Sequence, residues 1–600
     1  MSTARETAPA EIYRQRLAAR EREVALLDRR HLILSNARLA VFLIGATLSW
    51  LAWISHLLSG WWVLVPVIIF IALAVAHDRV LRRRSRARRA VIFYSHGLDR
   101  LADRWVGTGE AGEQFREPDH PFADDLDLFG TGSLFQLLCR ARTQVGRGVL
   151  ASWLKAPAGS EDVALRQEAV EELRPRLDLR EDLALLGQEV AAGVDLNVLK
   201  KWSGSPAVLA GGPMRLVLLA ASILSVATIT GWLAGPLGPG PVLLALVFQG
   251  ILTGFLRSRV QQVLEEVEEP GRELFLMAEV LERLAAETYE SRLLAGRKEA
   301  LESSAGAPHQ AIAHLARLVE RLDWRRNNFF APFGMALAWS SQHAFALEGW
   351  RRRHGRDVPS WLESIGEMEA LSALAGYAWE HPADVFPELA PAGNHVLAAK
   401  EMGHPLLPAA TCVRNDLELS HELRLLIVSG SNMSGKSTLL RTIGVNVVLA
   451  LAGAPVRARG LRLSPLGLGA SIRINDSLHE GRSRFYAEIT RLRAIMELAE
   501  GDGPLLFLLD EILHGTNSHD RRIGAEAVVR GLLERGAIGL VTTHDLALAE
   551  VAEAMAPQAA NIHFQDTLVD GRMVFDYRIH EGVVNRSNAL DLMRSIGLKV

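Results

Sequence analysis

The residues with the plainest chemistry lie in one stretch, Gly430-Ser-Asn-Met-Ser-Gly-Lys-Ser-Thr438, between an apolar run, Leu425-Leu-Ile-Val428, and a helical segment from Leu439 to Leu451. Gly430, Gly435, Lys436 and Ser437 satisfy G-x-x-x-x-G-K-[ST], a phosphate-binding loop set between strand and helix. Glycines there let backbone N–H groups turn toward phosphate oxygens, and the helix adds the positive end of its dipole. Ser431, Asn432, Met433, Ser434 and Thr438 complete the cradle. Lys436 is expected to reach the β- and γ-phosphates of ATP, and the Ser437 hydroxyl to hold Mg²⁺. Pro504-Leu-Leu-Phe-Leu-Leu-Asp510-Glu511 reads as a buried strand delivering two acids at its carboxyl end. Asp510 suits a water-mediated Mg²⁺ contact, and Glu511 suits positioning or deprotonating the attacking water. A further apolar strand, Ile538-Gly-Leu-Val-Thr-Thr543, delivers His544-Asp545, and His544 is placed to hydrogen-bond the γ-phosphate. The three motifs in this order predict ATP hydrolysis by an ABC-class P-loop ATPase.

These strands occupy only the last third of the chain. Six hundred residues exceed what one core usually supports, so several domains are expected. The net charge of −3 gives no global basic field that would announce nucleic acid, although local basic surfaces remain open. Cys139 and Cys412 lie far apart without metal-ligand spacing and read as buried thiols in a reducing compartment. A mean hydropathy of +0.12 is high for a chain this rich in charges, and two apolar pairs account for it.

The first pair runs Leu39 to Ser55 and Leu57 to Ala76 around His56, with Trp61-Trp62 near its turn; the second runs Leu216 to Ala234 and Pro241 to Leu256. Each run is close to the roughly 17–25 residues that cross a bilayer core, and tryptophan favours the membrane interface. Arg29, Arg30 and Arg38 precede the first pair and a run from Arg82 to Arg89 follows it; Arg215 precedes the second, and Arg257 and Arg259 follow. Positive charge at the outer ends places both termini and the large segments in the cytoplasm, making a multi-pass protein of the inner (cytoplasmic) membrane. A long charged segment before the first run argues against a signal peptide. Residues 8–35 read as an amphipathic helix leading into the membrane, with Val91 to Trp105 following the basic run. Short helices are expected within 124–173. Beyond the second hairpin, Val260, Val263, Leu264 and Val267, then Leu274, Met277, Leu281 and Leu284, keep helical spacing, as do Ala311 to Leu322 and Trp361 to Trp379.

The loop Gly430–Thr438, with Asn432 and Met433 beyond what a generic phosphate loop needs, resembles the extended G-P-N-M-G-G-K-S-T loop of the MutS family. Asp510-Glu511-Ile-Leu-His-Gly515-Thr516-Asn517 resembles the family's D-E-x-x-x-G-T-[SN]. Gly481-Arg-Ser483-Arg-Phe485-Tyr-Ala-Glu488 resembles its G-x-S-T-F-x-x-E, with Arg484 in place of threonine. Gly403-His404-Pro405 is similar to its R-H-P segment without the arginine. Val413 and Asn415-Asp416 are similar to the segment beside the adenine, and Gly582 with Asn585-Arg-Ser587-Asn588 to G-x-x-x-x-S-Y. The resemblance implies that Tyr577 stacks on the base and that Ser483 reaches ATP bound by a second subunit, so that a homodimer holds two composite sites. Upstream, Ser133 to Pro157, Arg166 to Leu173 and Trp361 to Asn415 look like the family's helical core, so the likeness covers roughly 120–600. Neither the family's N-terminal mismatch-reading domain nor an appended nuclease is expected within these residues. Phe115-Arg-Glu117 matches the mismatch wedge in letters only.

The expected fold is an α/β ABC-type P-loop ATPase domain plus an all-α core or lever domain, with two transmembrane helical hairpins. The expected boundaries are 1–90 for the N-terminal helix and first hairpin, 91–210 for the first part of the core, 211–258 for the second hairpin, 259–385 for the lever and core return, and 386–600 for the ATPase. The expected function is a membrane-anchored MutS-like ATPase whose levers act on DNA or a DNA-bound protein partner. The alternative is a nucleotide-switched membrane scaffold or remodelling protein that does not bind DNA. A transporter ATPase fits less well: no charge lies within the spans to mark a substrate path, and the Leu-Ser-Gly-Gly-Gln signature is absent.

Overall fold

The computed structural model describes residues 2–584 except 56, 187–195, 210–211, 266–270, 303–306, 327–329, 392, 432, 474–483, 502, 514–515, 545 and 570–571. It divides into two units, one formed by Met1–Leu138, Leu177–Leu185 and Gly376–Val600, the other by Cys139–Arg176 and Leu186–Ala375.

In the first unit, strands β1 (Glu388–Leu389), β2 (Leu397–Met402), β3 (Asn415–Leu419) and β5 (Gly460–Leu463) form a four-stranded sheet in the order β1-β5-β2-β3. A six-stranded sheet is built from β4 (Leu425–Ser429), β6 (Gly467–Ser471), β7 (Leu505–Asp510), β8 (Ile538–Thr543), β9 (Ala559–Val569) and β10 (Arg572–Glu581), in the order β10-β9-β4-β8-β7-β6. All its pairings are parallel except β9 with β10. Continuous apolar runs such as Leu425–Val428 and Leu505–Leu509 suit strands covered on both faces, and every residue of β4 and β8 is buried. Register decides the chemistry: Ser429 pairs with Thr543 and Asp510 with Thr542, so β4, β8 and β7 end level and side by side.

The same unit begins with two long helices, Ser2–Trp53 and Leu64–Leu101, packed as a hairpin. The segments read as separate flanks, 8–35 and 91–105, are continuous with the apolar runs over most of their length. No proline after Pro66 interrupts the second helix, and its arginines are good helix formers. The outer ends of the hairpin are fixed by buried charge. Tyr13 donates to Glu380 at 3.0 Å, and Arg100 grips the same carboxylate at 2.9 and 2.8 Å. Glu181 accepts from Arg20 at 2.8 Å and from Arg16 at 3.3 Å, and Tyr94 bonds it too. Gly97 makes room, since a Cβ there would lie 2.6 Å from the Tyr13 ring.

Residues 120–138 also belong to this unit, folded against the phosphate-loop helix Lys436–Ala452; the Leu126 side chain occupies the space a Cβ on Gly444 would need. Phe115 packs beside Phe129 and Phe135, with ring centroids 6.3 and 5.5 Å away, which gives it a core role in place of a wedge.

The second unit is helical throughout its described elements. Thr143 caps Gln144–Lys155, and its N–H and hydroxyl bond the buried Glu369 carboxylate, whose pKa burial raises. Gly271–Ala285 lies along Pro308–Asp323, burying Leu274, Met277, Leu281 and Leu284 against a face that includes Ile312, Leu315 and Leu322. The helical spacing is therefore that of a packed layer; Val267 lies outside the described residues. Pro213–Leu233 and Pro239–Glu265 pack as a hairpin in this unit. Among the described residues, four helices are long and apolar enough to cross a membrane, and at least 72% of each apolar window is not buried. Leu43, Trp53, Trp61, Leu244, Ile251 and Phe255 are among the large side chains left exposed on them.

Candidate nucleotide site

The phosphate loop leaves β4 at its C-terminal end, turns through Gly430 at φ 150° and Met433 at φ 70°, and enters the helix Lys436–Ala452 from Gly435 at φ 106°. These positive φ values explain the glycines; a Cβ on Gly435 would also lie 3.2 Å from the Tyr577 ring. Lys436 is buried, its ammonium donating to the Gly430 and Ser431 carbonyls at 2.8 and 3.0 Å. It lies 3.4 Å from the Glu511 carboxylate, which lies 3.6 Å from His544 Nδ1. Asp510, at the end of β7, accepts a hydrogen bond from the Thr542 hydroxyl. Glu511 adopts φ 46°, uncommon for a side-chain-bearing residue, and its N–H is held by Thr542 Oγ1 at 3.0 Å. The structure thus brings Lys436, Asp510, Glu511 and His544 together from three adjacent strand ends.

Beside the loop is a cavity of about 300 Å³ lined by Val413, Asn415, Gly435, Thr438, Tyr577 and His404, among others. Tyr577 sits at φ 54°, where the pairing of β10 with β9 shifts register. Asn415 secures that irregular backbone, donating to the Tyr577 carbonyl at 3.0 Å and accepting from the Ile579 N–H at 2.9 Å. The residue that resembles an adenine neighbour therefore also sets the tyrosine ring. Burial, with Arg441 and Arg457 nearby, holds His404 down at about 4, so its imidazole is neutral at pH 7.

The donor set fits a nucleotide. Ser431 and Ser434 carry buried hydroxyls without a hydrogen-bond partner, suited to phosphate oxygens, while Ser437 and Asp510 offer the hard oxygens that Mg²⁺ prefers. Asn432 and Ser483 lie outside the described residues, as do Gly481, Gly515, Asp545 and 585–588. The segment containing Ser483 is anchored at its far end, where the buried Glu488 accepts the N–H of Leu513 just past Glu511. Asn517 caps the helix Ser518–Glu534 through the Asp520 N–H at 2.9 Å.

Sequence reasoning missed two supports. The buried Asp125 accepts the N–H groups of Ile472 and Arg473, both at 2.7 Å, while Asp127 pairs with Arg473 and lies 3.7 Å from Arg441 on the phosphate-loop helix. Arg521 shares a narrow recess with Glu511, Thr543 and His544. Neither carries a local motif; the acid-rich run before Phe129 was the one available signal for the first.

With this geometry in place, residues 426–599 match the family model for MutS domain V. Residues 426–599 therefore carry a MutS domain V, and the chain is similar to proteins of the MutS family. It is 32% identical over 249 residues to the Endonuclease MutS2 of Thermus thermophilus, covering 40% of this chain and 31% of that protein. It is 31% identical over 239 residues to the DNA mismatch repair protein MutS 2 of Halobacterium salinarum, covering 39% of this chain and 27% of the relative. A longer match, 26% identical over 525 residues, joins it to the DNA mismatch repair protein MutS of an Exiguobacterium species, across 79% of this chain and 61% of that one. The chain thus spans less than two thirds of the length of each of these MutS relatives.

Proposed function

We propose that this MutS-like protein is a membrane-anchored ATPase that closes as a homodimer over two ATP molecules and couples their hydrolysis to DNA held by its helical unit. The observation that carries the ATPase reading is the convergence of Lys436, Glu511 and His544 within 3.4 and 3.6 Å at the ends of adjacent parallel strands, beside the Tyr577 cavity. In this reading the base enters the cavity against Tyr577 and Val413, and the loop from Gly430 to Thr438 wraps the phosphates. Lys436 leaves its carbonyl partners for the β- and γ-phosphates. Ser437 and Asp510 hold Mg²⁺, which when bound neutralises charge on the phosphate oxygens. Glu511 takes the proton of the attacking water and His544 bonds the γ-phosphate. Ser483 of the second copy completes each site.

Membrane anchoring is supported by the four exposed apolar helices and the arginines at their outer ends; in this reading the ATPase lies in the cytoplasm at the inner membrane. Coupling to DNA is supported by the relatives, which are called mismatch repair proteins and endonucleases. A second reading, a nucleotide-switched scaffold that does not touch DNA, draws support from the apolar hairpin carried within the helical unit.

The separating experiment is steady-state ATP turnover of the full chain in lipid nanodiscs, with matched, mismatched and branched duplexes at two salt concentrations. Stimulation that weakens with salt is expected, because phosphate contacts release counterions. Robust turnover indifferent to every duplex selects the scaffold. For the base pocket, Tyr577→Ala is expected to lose about 1–3 kcal/mol of stacking, a rise of about 5- to 150-fold in the Kd for ATP. Tyr577→Phe should bind as the wild type does; equal weakening in both variants removes stacking as the cause.

A further inference from the structure

Outside the four long helices, the described residues carry a short apolar element whose exposure is unusual. It runs Phe330-Ala-Pro-Phe-Gly-Met-Ala-Leu-Ala-Trp339, ten residues without a charge, and folds as the helix Ala331–Ala336, a left-handed turn at Ala338 (φ 46°), and the start of the helix Trp339–His354. In water such a run buries its large side chains. Here Phe333 is 65% and Met335 73% exposed. A run of this length is too short to span a bilayer, yet suits a re-entrant or interfacial segment.

What fixes its position is a polar relay in the second hairpin. Gln249 lies near the middle of the charge-free run 241–256, and Ser225 in that of 216–234, where polar side chains need partners. Both are buried: Ser225 Oγ donates to Gln249 Oε1 at 2.6 Å, and Gln249 Nε2 donates to the Met335 carbonyl at 2.6 Å. That carbonyl belongs to the last turn of the short helix and also accepts the Ala338 N–H at 3.1 Å. The glutamine amide, which lipid could not pair, thereby finds its partners on Ser225 and on this carbonyl. It also holds the tip of the short helix level with a point eight residues, about 12 Å of helix, inward from Arg257. Around Phe330, at the start of the element, stand Trp324 and Trp339, stacked with centroids 6.0 Å apart, and the Trp339 indole donates to the Arg321 carbonyl at 2.9 Å. Tryptophans with arginines close by are the side chains that settle at the headgroup level.

We propose that residues 330–339 form a third membrane element that enters the lipid from the cytoplasmic side without crossing it, with Phe333 and Met335 against acyl chains and Trp324 and Trp339 among the headgroups. This rests on the reading of the second hairpin as membrane-inserted. The partner is the lipid of the bilayer that surrounds that hairpin. Ser225 and Gln249 are positioning residues, fixing the depth of the element.

The test uses the full chain with Cys139→Ala and Cys412→Ala, in nanodiscs, carrying one nitroxide label at a time through Phe333→Cys, Met335→Cys, Leu244→Cys in the hairpin, or Glu299→Cys as an aqueous reference. Depth is read from the relative collision rates with oxygen and with a water-soluble nickel complex. Labels at 333 and 335 are expected to be oxygen-accessible and nickel-shielded, as at 244, and Gln249→Leu should shift both toward water. If 244 reports lipid while 333 and 335 report water, the third element is overturned and the hairpin reading stands. If 244 also reports water, both fall together. All four labelled positions are exposed, so the labels leave the packing intact.

Discussion

Glu511→Gln is expected to bind ATP as tightly as the wild type while turning it over about 10²- to 10⁴-fold more slowly. The substitution keeps the side chain's size and its approach to Lys436 and His544, 3.4 and 3.6 Å away, but removes the ability to take a proton. Nothing that would cradle the phosphates changes, because those donors belong to the loop 430–438 and its helix. The strained φ of 46° at this position is held by its own N–H on Thr542, and the amide side chain leaves that bond untouched. ATP-loaded dimers should consequently accumulate. Equilibrium binding of a fluorescent ATP analogue, single-turnover hydrolysis and light scattering on the same preparation separate these effects. Wild-type turnover in the variant removes Glu511 from the role of base. Weakened binding alone moves it to holding Lys436.

Glu380→Leu is expected to release the outer ends of the first hairpin from the ATPase-bearing unit. Glu380 is 1% and Arg100 12% exposed at the side chain, and the carboxylate also takes the Tyr13 hydroxyl. Removing one partner of a buried pair leaves the other charge desolvated, at a cost of about 3–5 kcal/mol. Amide hydrogen exchange around Tyr13 and Tyr94 should then accelerate about 10²- to 10⁴-fold, while protection of the six-stranded sheet holds. Adding Arg100→Met and Tyr13→Phe should restore part of the protection, since the Arg100 charge is then no longer orphaned, while the buried Arg180, which also faces Glu380, keeps the rest from returning. Unchanged exchange in the single variant means that Glu181, with Arg16, Arg20 and Tyr94, carries the docking alone.

The contrast between these two positions shows where sequence reading succeeds. Glu511 was legible because its neighbours in space follow local rules: an apolar strand of six residues ends in acids, and a glycine loop opens a helix. Glu380 was not legible. It closes a helix that is buried almost all round, and its partners Tyr13 and Arg100 lie 367 and 280 residues away. Asp125 is a similar case, an acid in a run of acids until the fold sets it under the N–H groups of Ile472 and Arg473, 347 and 348 residues on. The apolar hairpins were legible from length and composition, yet the glutamine inside one of them reads as a blemish until the Met335 carbonyl is placed against it.

By itself, then, the sequence determined the phosphate loop, the acids and histidine that follow it, the family resemblance they carry, and the four long apolar helices. Each is written in contiguous residues, where backbone sterics and periodicity act over one turn or one strand. Only the tertiary structure decided that β4, β8 and β7 lie side by side, so that Lys436, Glu511 and His544 meet. It alone set Tyr577 on a bulge held by Asn415 and joined Ser225, Gln249 and Met335 in one relay. Those pairings depend on strand register and on which buried polar group finds which partner, and both are settled by the free energy of the packed chain as a whole.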